Sequence, residues 1–173
     1  MPRKIVLIGF SGAGKSAVAE LLAKKLGCST VDIDQEVEKA AGRSISEIIE
    51  VEGKDSFRDK ESKALSLALA NEAAVIATGG GILLREENRG AIFNWGRVVH
   101  LKVSAEVAAK RIEADESKSD SQVRPLIDSK SVLDSVKSLM KEREGLYDKA
   151  DITVDVDNRS VEEVVEEIVN QLS

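Results

Sequence analysis

The sequence predicts an α/β domain in which helices cover both faces of a parallel sheet. First, short apolar runs typical of buried strands alternate along the chain with stretches of helical spacing. Second, a complete glycine-rich phosphate-binding loop, residues 9–16, separates the first apolar run from the first helical stretch. Third, further polar and glycine-rich motifs directly follow later apolar runs. Alternation of this kind builds parallel strands that are joined by crossover helices.

Five apolar, β-branched runs are predicted as the strands of this sheet. They are residues 5–8, 30–33, 73–77, 97–101 and 151–154. Helices are predicted over residues 17–26, 35–41 and 104–112, and over further stretches that reach Ala70. Capping boxes at Ser44/Glu47 and Ser160/Glu163 mark two helix starts, the second opening a final helix with apolar residues at 161, 164, 165, 168, 169 and 172.

Length and composition indicate one globular domain, residues 1–173, with a formal net charge of −6. An acidic chain with few aromatic residues is not expected to bind nucleic acid. No apolar run approaches the length of a membrane span, and no signal-like segment precedes the first strand. The single histidine, His100, has no histidine or cysteine partners that would suggest a metal site. We expect a cytoplasmic protein that is a monomer.

The loop Gly9-Phe10-Ser11-Gly12-Ala13-Gly14-Lys15-Ser16 predicts a nucleotide-phosphate site. Its glycines let backbone N–H groups close around phosphate oxygens, and the following helix adds a favourable dipole. Lys15 would reach the β- and γ-phosphates, and the Ser16 hydroxyl would coordinate Mg²⁺. The competing interpretation is a chance glycine-rich turn, which the strand–loop–helix context disfavours.

Two further motifs are predicted at the same edge of the sheet, where ligands of such folds bind. Asp32 and Asp34 alternate at the end of the second strand and could divide metal binding and proton acceptance between them. Alternatively, Asp34 simply caps the following helix. Gly79, Gly80 and Gly81 follow the third strand and would allow close approach to a ligand, and Thr78 could bond to phosphate or water.

The segment 113–130 is polar and acidic, and it is either disordered or a functional lid. It contains Arg124 beside Pro125, and an arginine on a closing loop suits phosphoryl transfer. With Arg58, Arg111 and Arg143, Arg124 is a candidate for anion binding, although each arginine alone is more often solvated.

Six motifs in order resemble the shikimate kinase family, from about residue 4 to the last helix. They are the loop 9–16, Asp32-Ile33-Asp34, Phe57-Arg58…Glu61, Thr78-Gly79-Gly80-Gly81, Arg124-Pro125-Leu126 and Arg143…Tyr147…Ala150. The resemblance implies a three-layer α/β/α P-loop kinase fold with strand order 2-3-1-4-5. It also implies a shikimate-binding region at about 33–61 and a mobile lid at about 113–128.

The reaction that the resemblance implies is transfer of the γ-phosphate of ATP to the 3-hydroxyl of shikimate. Lys15, Asp34 and Arg124 would be catalytic, and Ser16 and Asp32 would bind Mg²⁺. The acceptor would contact Asp34, Arg58, Gly79, Gly80, Gly81 and Arg143. ATP would contact Gly12, Ala13, Gly14, Lys15, Ser16, Ala17, Arg111, Arg124, Asn158 and Arg159.

Two alternatives differ from this interpretation. A gluconate kinase or a nucleoside monophosphate kinase would share the fold but not the acceptor site. A regulatory or scaffold protein would keep the nucleotide fold without catalysis. That case would be signalled by loss of Lys15, Asp34 or Arg124, and all three are present.

Overall fold

The computed structural model describes residues 3–72, 74–116 and 132–173. The sheet within these ranges has five parallel strands in the spatial order β2-β3-β1-β4-β5. Its strands are β1 (Lys4–Ile8), β2 (Ser29–Asp32), β3 (Ala74–Ala77), β4 (Arg97–Lys102) and β5 (Ile152–Asp155). The predicted fold class and strand order are confirmed.

The helices of the described ranges connect the strands and cover both faces of the sheet. They are α1 (Lys15–Leu26), α2 (Ile33–Ala41), α3 (Ile45–Glu52), α4 (Lys54–Ala68), α5 (Glu86–Trp95), α6 (Ala105–Glu116), α7 (Val132–Glu142) and α8 (Val161–Leu172). Both predicted capping boxes are present, at Ser44 before α3 and at Ser160 before α8. Within the described part of the chain, none of the helices is long and apolar enough to cross a membrane.

Strand β1, which comes before the other strands in the chain, lies in the middle of the sheet between β3 and β4. Successive side chains of a strand point to opposite faces, so β1 supplies both halves of the core. Ile5 and Leu7 pack into the apolar cluster that includes α1, α6, α7 and α8. Val6 and Ile8 pack into a second cluster with α2, α3, α4 and α5. The carboxyl end of β1, where the phosphate-binding loop begins, is therefore held from both faces.

Two boundaries differ from prediction at the end of β2. Ile33 is the first residue of α2 and is buried, whereas it was predicted as the last strand residue. The cause is a cap: the Asp32 carboxylate accepts a hydrogen bond from the Gln35 backbone N–H at 3.1 Å, which starts the helix early. Asp34 therefore lies in the first turn of α2. Its predicted place on the strand end, and its alternative role as the cap, are both wrong.

Other differences concern helices. α6 continues to Glu116, so the first residues of the predicted lid segment are helical, while residues 117–128 lie outside the described residues. Two helices, α5 and α7, had no sequence prediction. α5 contains Gly90 and two asparagines, residues of low helix propensity that hide its pattern. The predicted strand 97–101 has His100 next to its last residue, whereas β4 continues to Lys102 and His100 lies two residues before its end.

Candidate active site

The phosphate-binding loop folds around a buried lysine. Gly14 caps α1 with φ 84°, a backbone conformation that favours glycine. The Lys15 ammonium donates to the carbonyl oxygens of Gly9, at 2.6 Å, and Phe10, at 3.0 Å. Burial lowers the pKa of Lys15 to about 8, while the negative charges of Asp34 and Asp32 raise it. The lysine thus places a fixed positive charge inside the loop at neutral pH.

Two side-chain oxygen groups that could hold a cation meet beside this loop. The Ser16 hydroxyl, in the first turn of α1, donates a hydrogen bond to Asp32 Oδ2 at the end of β2. Within the described residues, no group of three or more histidine, cysteine or acidic side chains could hold a metal ion. One hydroxyl and one carboxylate nevertheless fit Mg²⁺, which prefers oxygen and usually completes its octahedron with water and substrate phosphates.

Asp34 contributes a carboxyl group of unusual basicity. Its Oδ1 atom is buried and has no hydrogen-bond partner among the described residues. Burial raises the pKa of Asp34 to about 7, with further contributions from Glu61 and Asp32, and Lys15 opposes the shift. A carboxyl group with a pKa near neutrality is suited to accept a proton from a hydroxyl substrate.

Gly79 and Gly81 follow β3 and leave room for charged groups to approach the backbone. A Cβ placed at Gly79 would lie 2.7 Å from Glu61 Oε1 and 2.8 Å from Asp34 Oδ1. A Cβ at Gly81 would lie 2.6 Å from Arg58 Nη1. Any larger residue would displace these side chains, so the turn brings carboxylates from α2 and α4 and the guanidinium of Arg58 to one place.

Glu61 is the site residue to which sequence reasoning assigned no role. It is 1 % exposed and forms an ion pair with Arg58, with Oε2 2.8 Å from Arg58 Nη1. Burial raises the pKa of Glu61, and the neighbouring Arg58 opposes that shift. The available signal was the spacing of Arg58 and Glu61, three residues apart on one helix, but only burial distinguishes this pair from a surface ion pair.

Arg143, just after α7, supplies a second guanidinium group. It is 5 % exposed, and Nη1 donates to the Gly80 carbonyl oxygen at 2.8 Å. Its guanidinium carbon lies 5.4 Å from the centre of the Phe10 ring. Burial lowers the pKa of Arg143. Among the residues that the structure describes, no carboxylate forms a salt bridge with Arg143, so this buried cation is suited to bind an anion.

A separate cavity of about 190 Å³ lies beside the start of α1. It is lined by Ala13, Gly14, Val18, Arg111, Val156, Arg159, Ser160, Val161 and Val164. Arg111 is held there by a hydrogen bond of 2.9 Å from Nη1 to the Gly12 carbonyl oxygen. An apolar slot between two arginines, next to a phosphate loop, is suited to hold a nucleotide base.

The structure brings most of the predicted site residues together at the carboxyl edge of the sheet. Ala17 lies exposed in the first turn of α1 and Asn158 is exposed with φ 56°, neither lining the cavity. Arg124 lies outside the described residues. Thr78 was expected to bond to phosphate or water, but its hydroxyl donates a hydrogen bond to the Leu7 carbonyl oxygen at 2.8 Å within the sheet.

This fold, with a phosphate loop beside a pocket that holds two carboxylates and two largely buried guanidinium groups, defines a P-loop kinase that acts on a small anionic acceptor. Residues 11–173 match the family model for shikimate kinase. The shikimate kinase of Thermodesulfovibrio yellowstonii is 39% identical over 98% of this chain and 94% of its own length. That of Rhodopirellula baltica is 40% identical over 97% of this chain and 89% of its own length. The chain belongs to the shikimate kinase family.

Solved structures agree with this assignment. Shikimate kinase from Acinetobacter baumannii, in complex with shikimate, has a TM-score of 0.90 at 31% identity and covers 97% of this chain and 91% of its own. Shikimate kinase from Aquifex aeolicus has a TM-score of 0.82 at 37% identity, and the match covers 97% of this chain and 95% of that one. A gluconokinase from Sinorhizobium meliloti has a TM-score of 0.62 at 21% identity, and the match covers 99% of this chain and 91% of that one. This likeness shows a shared fold alone.

Proposed function

We propose that this chain transfers the γ-phosphate of ATP to the 3-hydroxyl of shikimate, giving shikimate 3-phosphate and ADP. The observation that carries the proposal is the convergence of Arg58, Arg143 and Asp34 on the glycine turn beside Lys15. Shikimate has one carboxylate and several hydroxyl groups. Two guanidinium groups complement the carboxylate, and a basic aspartate complements a reacting hydroxyl.

In this proposal Arg58 and Arg143 hold the shikimate carboxylate, and the backbone of the glycine turn packs against the ring. Glu61 keeps Arg58 in place through their buried ion pair. Asp34 takes the proton of the 3-hydroxyl as the new O–P bond forms and the bond between the γ-phosphorus and the bridging oxygen of ADP breaks. Positioning and fixed charge provide most of the acceleration in such a transfer.

The nucleotide occupies the other half of the site. Backbone N–H groups of the 9–16 loop bind its phosphates, Lys15 and Arg124 balance charge on the transferring group, and Arg111 and Arg159 flank the adenine. Ser16 and Asp32 hold Mg²⁺, which supplies neutralisation of phosphate charge when it is bound. Within this proposal the protein works as a cytoplasmic monomer, and light scattering after gel filtration would test its monomeric state.

The test is ADP release from Mg-ATP with shikimate, against gluconate, a nucleoside monophosphate and no acceptor. We expect shikimate alone to stimulate release, and Arg143→Ala to raise the KM for shikimate with little change in the KM for ATP. Arg97→Ala is the matched control, because Arg97 lies at the opposite edge of the sheet in an exposed ion pair with Asp151. If another acceptor stimulates ADP release, shikimate is not the acceptor. If none of the acceptors stimulates release, the proposal that the chain is a kinase for these acceptors is wrong.

A further inference from the structure

His100 and Tyr147 form a stacked pair that none of the roles above uses. Their ring centres are 4.4 Å apart and the ring planes differ by 6°. His100 lies on β4, directly opposite Ile8 of β1, which is two residues before Phe10 of the phosphate loop. Tyr147 lies four residues after Arg143. The pair therefore stands between the strand that carries the phosphate loop and the turn that carries Arg143.

We propose that His100 is a positioning residue for acceptor binding, which acts through its stack on Tyr147 to orient the guanidinium group of Arg143. The proposal rests on the proposed function, because it takes Arg143 to be a ligand of the shikimate carboxylate.

Tyr147 and Arg143 are linked through a tight turn. The backbone N–H of Leu146 donates to the Arg143 carbonyl oxygen at 3.2 Å, and that of Ala150 donates to the Tyr147 carbonyl oxygen at 3.1 Å. The Tyr147 hydroxyl is buried and has no hydrogen bond of good geometry among the described residues. It is still close enough to Arg143 that the guanidinium charge lowers the pKa of Tyr147, against the larger effect of burial. A shift of the Tyr147 ring would therefore be transmitted to Arg143.

The guanidinium of Arg143 has few other anchors. Within the described chain its side chain has one hydrogen bond, to the Gly80 carbonyl oxygen, and the Phe10 ring beneath it. A guanidinium binds a carboxylate through two parallel hydrogen bonds, so its plane must be set as well as its position. A misplacement of about 1 Å in a binding group can cost on the order of 100-fold in rate.

A flat, uncharged ring suits the position of His100. Burial, together with the positive charges of Lys102 and Lys15, lowers the pKa of His100 to about 4. The ring is therefore neutral at physiological pH and adds no positive charge near Arg143. Another aromatic ring of similar width should also stack on Tyr147 and keep Arg143 oriented, whereas an aliphatic side chain should not.

The experiment compares His100→Phe, which keeps a flat ring, with His100→Leu, which removes it. Thr153→Ala is the matched control, since Thr153 is the β5 neighbour of His100 in the sheet. The KM for shikimate, the KM for ATP and kcat are measured for each variant, and thermal unfolding verifies that each is folded. We expect His100→Leu to raise the KM for shikimate by roughly 5- to 30-fold, with the KM for ATP within about twofold. His100→Phe and Thr153→Ala should stay within about threefold of the parent chain.

Other outcomes overturn the proposal. If His100→Leu keeps the parental KM for shikimate, or if both KM values rise together, His100 does not act through Arg143. If His100→Phe is as impaired as His100→Leu, the stack is not the operative contact. Should His100→Leu fail to fold, Tyr147→Leu against Tyr147→Phe applies the same test from the other ring. The parent chain's response to shikimate separates failure of this proposal from failure of the proposed function.

Discussion

At the scale of single residues, the proposed acceptor site depends on glycines that leave space for charged side chains. We expect Gly81→Ala to raise the KM for shikimate at least tenfold, because the added methyl group would meet the guanidinium of Arg58 at 2.6 Å from Nη1. Steady-state kinetics with each substrate varied in turn would measure the effect, and the KM for ATP should change little.

Gly90→Ala is the matched control for that substitution. Apart from its chain neighbours and the backbone of its own helix, a Cβ at Gly90 would meet no atom within 4 Å, and Gly90 lies in the middle of α5. Alanine there should leave both KM values unchanged and raise the free energy of unfolding by about 0.5–1 kcal/mol. Equal kinetics for Gly81→Ala and the parent chain would show that Arg58 moves away without loss of acceptor binding.

His100 also makes stability depend on pH. Its folded-state pKa of about 4 lies below the roughly 6.5 of an unfolded histidine, so the unfolded chain takes up the proton first as pH falls. The stability contributed by the neutral ring is complete above pH ~6.5 and is lost progressively toward pH ~4, by roughly 2–3 kcal/mol.

Urea unfolding at pH 7.5 and pH 5.0, for the parent chain and for His100→Phe, would measure this contribution. Asp34 and Glu61 have raised pKa values, and their contributions have the opposite sign, so the difference between the two proteins isolates His100. We expect the parent chain to lose more stability on acidification than His100→Phe. Identical losses would contradict the assignment of a neutral, half-buried ring.

At the scale of elements, α4 carries both members of the Arg58–Glu61 ion pair, and its N-terminus has an unfavourable charge. The N-cap residue of α4 is Gly53, which has no side chain to accept a hydrogen bond from the first turn. The first residue of the helix is the exposed Lys54. A positive charge at a helix N-terminus opposes the helix dipole. We expect Lys54→Glu to raise the free energy of unfolding by about 0.3–1 kcal/mol, or the Tm by roughly 1–4 °C.

Lys63→Glu is the control for α4, because it makes the same charge change on an exposed residue away from the helix ends. Calorimetry of the two variants should show the gain only for Lys54→Glu. A similar gain for both would mean that the overall charge of the protein, and not the helix dipole, sets the effect.

Some secondary-structure elements could be predicted from the sequence, and others could not. The strands and the helices with capping boxes were predictable because their patterns are local. The start of α2 was not, since Ile33 reads as a β-branched strand residue until the Asp32 cap is seen. Glu61 was named in a motif but given no role for a related reason: the glycine turn after β3 that it packs against is distant in sequence.

At the scale of the whole molecule, the strand order predicts unequal protection across the sheet. β1 is paired on both sides and its residues Ile5, Val6, Leu7 and Ile8 are 0% exposed. β2 pairs only with β3, and its residues are exposed or half-buried. In native-state hydrogen exchange we expect β1 amides to exchange only through global unfolding and β2 amides to exchange through local opening.

Mass spectrometry or NMR would resolve these two sets of amides. Addition of denaturant should accelerate exchange in β1 far more than in β2, because global unfolding exposes much more surface than local opening. Matching protection factors in the two strands would mean that the sheet opens as one unit.

The central place of β1 also matters while the chain is being made. A ribosome synthesises β1 before the other four strands, yet its neighbours in the sheet begin only at Ala74 and Arg97. At about 5–20 residues per second, a strand that contains four consecutive apolar residues therefore stays unpaired for several seconds before its neighbours are made. During that interval it is the kind of segment that chaperones bind and that aggregates readily. The strand that is best protected in the finished enzyme is thus among the most vulnerable parts of the nascent one.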